Sequence, residues 1–491
     1  MGLMRFLVCP PQRITEEMVQ QAYLSGIDRV SWPVRTAVEN GQLLLQRTVS
    51  DSANLHVPWQ IEGRGWLILT TGSLMEQPQP YQLPLELARG TVAQLRNQLF
   101  EWQMMGLPLP QAATAKAAEA VGYLARAAVL QEDPPASAKL AEMAIGTALE
   151  AGDWLAGAYV EYALAARRRS GGKLSALLGV NLGGSRPDGD IARQLPLAFN
   201  AAVVPIGWRE VEAVEDTFSW EAPNRQIQWC KAQGLKVCGG PLMLFDWPGL
   251  PDWLCLWEGD FESIFAFVSE FIQAAVARYR GSVDVWICAG RINTAEILSL
   301  SEEEKLQLAA RAIELVRSLD PAAPAVVSFD QPWAEYLSRR EMDFPPLQLA
   351  DALVRAGLDL TALMLEINLG YHPGGTLPRS PLEFNRQLEH WRLLGLPLWV
   401  SITVPSTCDN DPLATRPAKP SPGTWTTKSQ QAWIARYVPL ILAKPYVQGV
   451  LWNQLGDGQP HDFPHGGLFT PQGQAKPALK TLAAIRQAWL K

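Results

Sequence analysis

Apolar and polar positions follow three successive rhythms along the chain. In the first stretch the apolar runs are short and stop at turn residues. Arg5–Cys9, Gln42–Thr48 and Gly65–Thr71 are such runs, with Asn40-Gly41 and Glu62-Gly63 between them. This pattern predicts strands joined by tight turns, and residues 1–85 are read as a β-rich accessory domain. The rhythm then lengthens. Leu95, Leu99 and Trp102 recur on one helical face, and two alanine-rich stretches come next, Ala112–Glu132 and Pro135–Arg168. Between them, Glu132-Asp-Pro-Pro135 must end a helix, because proline lacks the N–H and clashes with the preceding turn. Ala144, Ala148, Leu155 and Tyr159 suggest a close helix–helix seam. Residues 86–172 are read as a helical region packing on the first domain or on the C-terminal part of the chain, closed by the polar, glycine-containing joint Arg167–Lys173.

In the third rhythm, short β-runs alternate with helical segments. Eight β-runs stand out: Leu174–Val180, Ala201–Ile206, Lys236–Gly239, Val283–Ala289, Ala325–Phe329, Ala362–Glu366, Leu398–Thr403 and Gly449–Trp452. Helical patterns such as Phe261–Ile272 and Leu306–Val316 separate them. Strand–helix alternation predicts a parallel sheet with crossover helices, and eight units predict a (β/α)8 barrel over residues 173–491. The fold class is therefore α/β, a TIM barrel preceded by a β-rich and helical accessory region. A doubly wound open sheet is the alternative, but no Gly-x-Gly-x-x-Gly turn comes after the first strand.

Composition narrows the classes of function. A chain of 491 residues, 48% hydrophobic and 19% charged, is ordinary for a packed protein. The net charge of −7 with no long basic run speaks against nucleic acid. No apolar stretch approaches the roughly 20 residues that span a bilayer, so no membrane partner is expected. The N-terminal apolar run is short and meets Pro10-Pro11 rather than a cleavage site, which predicts a first strand and a cytoplasmic protein. The six cysteines form no Cys-x-x-Cys pair and are read as reduced thiols. The 19 tryptophans fit either a packed core or a surface for sugars, whose rings stack on indole faces. No cofactor and no metal are expected. His461-Asp-Phe-Pro-His465 has an i, i+4 spacing, but its proline and glycine-rich flanks predict a loop rather than a metal-binding helix face. No Gly-x-Ser-x-Gly elbow and no phosphate-binding glycine loop occur.

In a barrel the chemistry belongs to the carboxyl ends of the strands. There the sequence places Trp208, Trp247, Arg291, Asn293, Glu296, Asp330, Trp333, Glu366, Asn368, Tyr371, Trp452 and Asn453, with Asp457, His461, Asp462 and His465 on the last loop.

Several weak motifs recur in a familiar order. Trp208-Arg-Glu-Val-Glu with Phe218-Ser-Trp220, Ile227–Val237, Pro251-Asp-Trp-Leu and Arg278-Tyr-Arg-Gly are succeeded by Trp286, Ala362–Leu369 and Gly449–Trp452. The series closes on Gly467-Leu-Phe and Lys476-Pro-Ala478. Residues 173–491 resemble the family 10 glycoside hydrolases, the xylanase family. The resemblance implies a TIM barrel and a retaining mechanism with two catalytic glutamates. Laid on this chain, it puts Arg291 at the acid/base position and Ile402 at the nucleophile, so both glutamates are absent. It also puts Gly239-Gly-Pro241 where the family has Arg-Gly-His, Glu366 at a glutamine and Asn368 at a histidine.

Arginine does not donate its proton at neutral pH, and isoleucine is no nucleophile. The expectation is a divergent carbohydrate-active protein with an oligo- or polysaccharide partner. In one reading it hydrolyses a glycoside by a different arrangement, with Glu366 and Asp330 catalytic. In the other it only binds a glycan. Arg291, Asn293, Glu296, Asn368, Asn453, Trp208, Trp247, Trp333, Tyr371 and Trp452 are the expected binding residues. The alternative from another class is a catalytically inactive scaffold for structural or protein contacts. The plain reading of Glu366 with Arg291 is a structural ion pair at the barrel mouth.

Overall fold

The computed structural model describes residues 2–340, 342, 344–421 and 425–491. The chain forms two compact units. The accessory unit comprises Met1–Ala166, Trp333–Met342 and Thr376–Leu388; the barrel unit comprises Arg167–Pro332, Asp343–Gly375 and Glu389–Lys491.

The accessory unit holds two four-stranded sheets. One runs Arg35–Glu39, Gln42–Arg47, Gly2–Leu7, Tyr81–Gln82; the other runs Ser31–Trp32, Tyr23–Ser25, Ala53–Ile61, Gly65–Leu74. Gly2–Leu7 alternates buried and half-buried residues, and Met4 and Phe6 pair with Leu45 and Leu43 of the antiparallel neighbour. That is the period-two signature of a sheet with one covered face. Three helices come next, Leu83–Met104, Gln111–Val129 and Pro134–Gly171. Residues from the strands (Phe6, Leu45, Trp59) and from the helices (Leu95, Trp102, Ala117, Ala144, Ala148, Leu155) share one apolar core. The alanines allow close helix approach, and Trp102 stacks on Tyr159 with ring centroids 4.3 Å apart. The third helix runs on through Gly171, so the glycine joint expected from the sequence is the end of a helix.

The barrel unit contains eight parallel strands: β1 (Leu177–Asn181), β2 (Ala201–Val204), β3 (Lys236–Gly239), β4 (Val285–Gly290), β5 (Ala325–Asp330), β6 (Ala362–Asn368), β7 (Leu398–Thr403) and β8 (Val447–Trp452). Neighbours pair in chain order. β8 returns to β1, with Gly449 beside Leu177, and β3 pairs with β4. The sheet is closed, a (β/α)8 barrel. Inward-facing residues form its core, among them Val203, Cys238, Ile287, Val326, Met364, Trp399 and Leu451. Trp399 fits because its neighbour on β8 is Gly449, where a Cβ would stand 2.4 Å from the indole. Outside the strands lie crossover helices such as Phe261–Tyr279 and Glu302–Leu319; Ser301 and Glu304 cap the latter reciprocally. Trp286 faces outward and donates from Nε1 to Asp320 Oδ2 at 3.0 Å. Among the described residues, no helix is long and apolar enough to cross a membrane.

Candidate functional site

The carboxyl ends of the strands open into a cleft of about 650 Å³. Its floor and walls include Asn181 at the end of β1, Arg291 after β4, Glu366 on β6, Ser401 and Thr403 on β7, and Asn453 after β8. Strand period decides this set: residues two apart point the same way. The register sets Asp330 beside Glu366, Glu366 beside Ser401 and Asn368 beside Thr403.

Arg291 is the centre of the mouth. Its side chain is 5% exposed, and its backbone sits at φ 63°. Nε donates to Glu366 Oε1 and Oε2 at 3.2 and 3.0 Å, and Nη2 donates to Oε1 at 2.6 Å. Nη1 donates to Asp246 Oδ2 at 2.9 Å, and Nη2 also reaches Asp462. A second guanidinium, Arg416, pairs with Asp246 and with Asp462. Two arginines thus hold three carboxylates gathered from the loops after β3 and β8 and from β6. For Arg291, Glu366 and Asp462 burial opposes the charge, and mutual attraction outweighs it. Arg291 is pushed well above its ordinary pKa by Asp462 and Glu366. Glu366 is lowered by Arg291, and Asp462 falls to about 2 under Arg291 and Arg416.

Asp330 behaves oppositely. It is fully buried at the end of β5, and burial, reinforced by the neighbouring charge of Glu366, raises its carboxyl to about 7. Oδ1 accepts from Gln331 N at 2.9 Å and from Asn368 Nδ2 at 3.1 Å; Oδ2 has no partner. The Asn368 amide also donates to Glu366 Oε1 at 3.1 Å, bridging the two acids. Asn293 ties its loop to β5, donating to Asp330 O at 2.7 Å and accepting from Asp330 N at 3.0 Å. Asn453 is held loosely, donating to Glu366 at 3.4 Å and accepting from Asn181 at 3.5 Å.

Of the residues singled out from the sequence, Arg291, Asn293, Asp330, Glu366, Asn368, Asn453 and Asp462 meet at this mouth, and His461 lines the same cleft. The others lie elsewhere. Trp208, Trp452 and Tyr371 are buried, where apolar ring area is best removed from water. Trp208 donates to Glu212 at 2.7 Å, Trp452 to Gly466 O at 2.9 Å, and the Tyr371 hydroxyl to Pro464 O at 2.8 Å. Trp333 belongs to the accessory unit, packed on Phe384 beneath the Arg379 guanidinium. Glu296 is exposed, and Trp247 is 42% exposed. None of these six lines the cleft; among the described residues that do, the aromatic ones are Phe463 and Phe469. The expectation of a tryptophan-lined groove is corrected accordingly.

Asp246, Asp462 and Arg416 complete the network. Asp462 is among the last-loop residues that the sequence places at the strand ends, and Asp246 stands on the loop after β3, the one signal that could have found it. Arg416 carries no local signal, since its partners come from distant loops. His461 and His465 both face Asp411, with ring nitrogens at 3.0 and 3.4 Å from Oδ2. Lys476 is buried against Asp457 and Ser406. Among the described residues, no group of three or more His, Cys, Asp or Glu is placed to hold a metal ion.

No protein family profile matches this sequence, and no curated protein is similar to it. Solved structures are. Xylanase 10B from Thermotoga maritima is 16% identical, with a TM-score of 0.50 over 65% of this chain and 98% of that one. Xylanase 10B from Thermotoga petrophila RKU-1, solved with xylobiose, is 16% identical, with a TM-score of 0.50 over 66% of this chain and 96% of that one. At such identity the likeness is one of fold. This chain therefore carries a barrel with the fold of the family 10 xylanases.

Proposed function

We propose that the barrel is a divergent carbohydrate-active protein that binds an oligo- or polysaccharide in the strand-end cleft without retaining hydrolysis. The observation that carries this reading is the engagement of Arg291 by Glu366, Asp246 and Asp462. Retaining chemistry needs two free carboxylates about 5–5.5 Å apart, one of them a nucleophile. In this chain β7 reads Leu-Trp-Val-Ser-Ile-Thr and has no carboxylate, and β4 is succeeded by arginine. Of the acids that line the cleft, Asp188, Glu210, Glu366 and Asp462, the two at the strand-end mouth, Glu366 and Asp462, are occupied by a guanidinium. The remaining lining suits binding: the Asn181 and Asn453 amides, the Ser401 and Thr403 hydroxyls, and Phe463 and Phe469 as apolar walls.

A second reading, hydrolysis by Asp330 and Glu366, is favoured by one observation. A carboxyl held protonated to about 7 stands beside one held ionised, with Asn368 between them. That is the splitting an acid–base pair requires. Against it, Asp330 is fully buried and does not line the cleft.

The test is glycan-array binding and reducing-end release by the full chain and by Glu366→Gln. Binding without release in either protein is the expected result. Release by wild type that falls at least 100-fold in Glu366→Gln would replace the binding reading with the catalytic one. Neither binding nor release across diverse glycans would leave the scaffold.

A further inference from the structure

The accessory unit has a pocket of its own, about 160 Å³ in volume. One wall is strand Gly65–Leu74 at Thr70–Gly72, a second is helix Leu83–Met104 at Gln94 and Asn97, and a third is Glu383 and Arg386. Arg29 closes it from the turn after Tyr23–Ser25. The strand wall is irregular. Pairing passes from Asn54 with Ser73 to His56 with Thr70, so Thr71 and Gly72 bulge, and the Leu55 N–H is taken by Thr71 Oγ1 at 3.0 Å. Bulges of this kind turn a strand's polar groups away from the ladder. Gly72 and Asn97 are exposed, so the pocket opens to solvent.

The charges around it do not balance. Arg29 and Arg386 both pair with Glu383, which also accepts from Gln94 at 2.8 Å. Behind them Arg379 pairs with Glu335 and donates to the Tyr23 hydroxyl at 3.2 Å. Among the described residues, three guanidiniums face two carboxylates. His56 adds no counter-charge; its ring nitrogens meet only the Ser25 and Thr70 hydroxyls, at 2.8 and 3.0 Å. Arg386 Nε is buried without a partner. The titrating groups report the same positive field. Burial alone would raise Glu383, yet Arg386, Arg29 and Arg379 carry it down to about 2. Burial and then Arg379 push His56 well below its ordinary value.

An excess guanidinium beside an open, hydroxyl- and amide-lined cavity calls for an anion with fixed acceptor geometry, since the planar fork matches oxyanions bidentately. We propose that this pocket binds a small oxyanion, a phosphate or carboxylate group held by Arg29 and Arg386 beside the Glu383 that they share.

Thermal unfolding of the full chain in inorganic phosphate, in acetate and in chloride at matched ionic strength tests this. A ligand that binds only the folded state raises Tm in a saturable way. The expectation is such a rise with phosphate or acetate, absent in chloride, and the oxyanion that gives it identifies the headgroup. Arg386→Met should weaken the apparent affinity at least tenfold. Asn97→Asp, at the exposed mouth, puts a carboxylate beside the ligand without disturbing the core and should weaken it similarly. No saturable shift with either oxyanion, or an equal shift in wild type and Asn97→Asp, overturns the proposal.

Discussion

Arg291 holds a left-handed backbone, which costs most side chains of order 1 kcal/mol, and buries a charge among three others. Both costs are offset only while the ion network is whole. Removing one partner of a buried pair costs about 3–5 kcal/mol, because the remaining charges are stranded. Arg291→Met should therefore lower unfolding free energy by about that amount in urea titration, and Arg291→Lys should recover only part of it, because an ammonium cannot reproduce the fork. A loss below about 1 kcal/mol in Arg291→Met would show that the network is solvent-screened. At this scale the sequence exposed half of the site. A polar residue at the end of a strand run is visible as a break in apolar pattern, and Arg291, Asp330 and Glu366 all show it. Arg416 does not, because what draws it into the network is a partner about 170 residues away. The tryptophans misled for a related reason: indole serves sugar stacking and core filling equally, and only exposure distinguishes them.

The strands and helices were far more legible than the site, because period is a local property and ion pairing is not. β2, β3 and β7 begin where their apolar runs begin, and the capped helix Glu302–Leu319 contains the predicted Leu306–Val316. The joint at Arg167–Lys173 lies where the two units divide, between Ala166 and Arg167, although a helix continues through it to Gly171. Basic residues in the last turn, Arg168 and Arg169, favour the helix end against its dipole. Gly449 shows an element constrained by its neighbour rather than by its own propensity. A methyl group there would overlap Trp399 inside the barrel, so Gly449→Ala should cost about 1–3 kcal/mol by overpacking. The check is a double-mutant cycle with Trp399→Phe, in which the smaller ring should relieve most of the loss; purely additive effects would place the strain elsewhere.

For the whole molecule, buried carboxylates set opposing pH slopes. Glu383 and Asp462, both near 2 in the fold, bind fewer protons folded than unfolded between their ordinary values (4.5 and 3.8) and about 2. Their contribution is complete above that window and is lost as pH falls through it. Asp330, raised to about 7 from 3.8, binds more protons folded than unfolded across that range, so stability declines as pH rises from about 4 to 7. The carboxylate contribution to unfolding free energy should peak in mildly acid solution, while neutral His56 adds a term that grows as pH rises toward 6.5, and Asp330→Asn should remove the carboxylate decline above the peak. An unchanged limb in that variant would assign the decline to another group. The closure of the barrel bears on synthesis as well as on stability. β1 pairs with β8, Leu177 beside Gly449, and the accessory unit draws its last segment from Thr376–Leu388. A chain growing at roughly 10 residues per second leaves the β1 edge without its final neighbour for on the order of half a minute. During that time an unpaired strand is open to any other nascent chain. Premature termination before Val447 should accordingly yield insoluble protein rather than a smaller folded fragment.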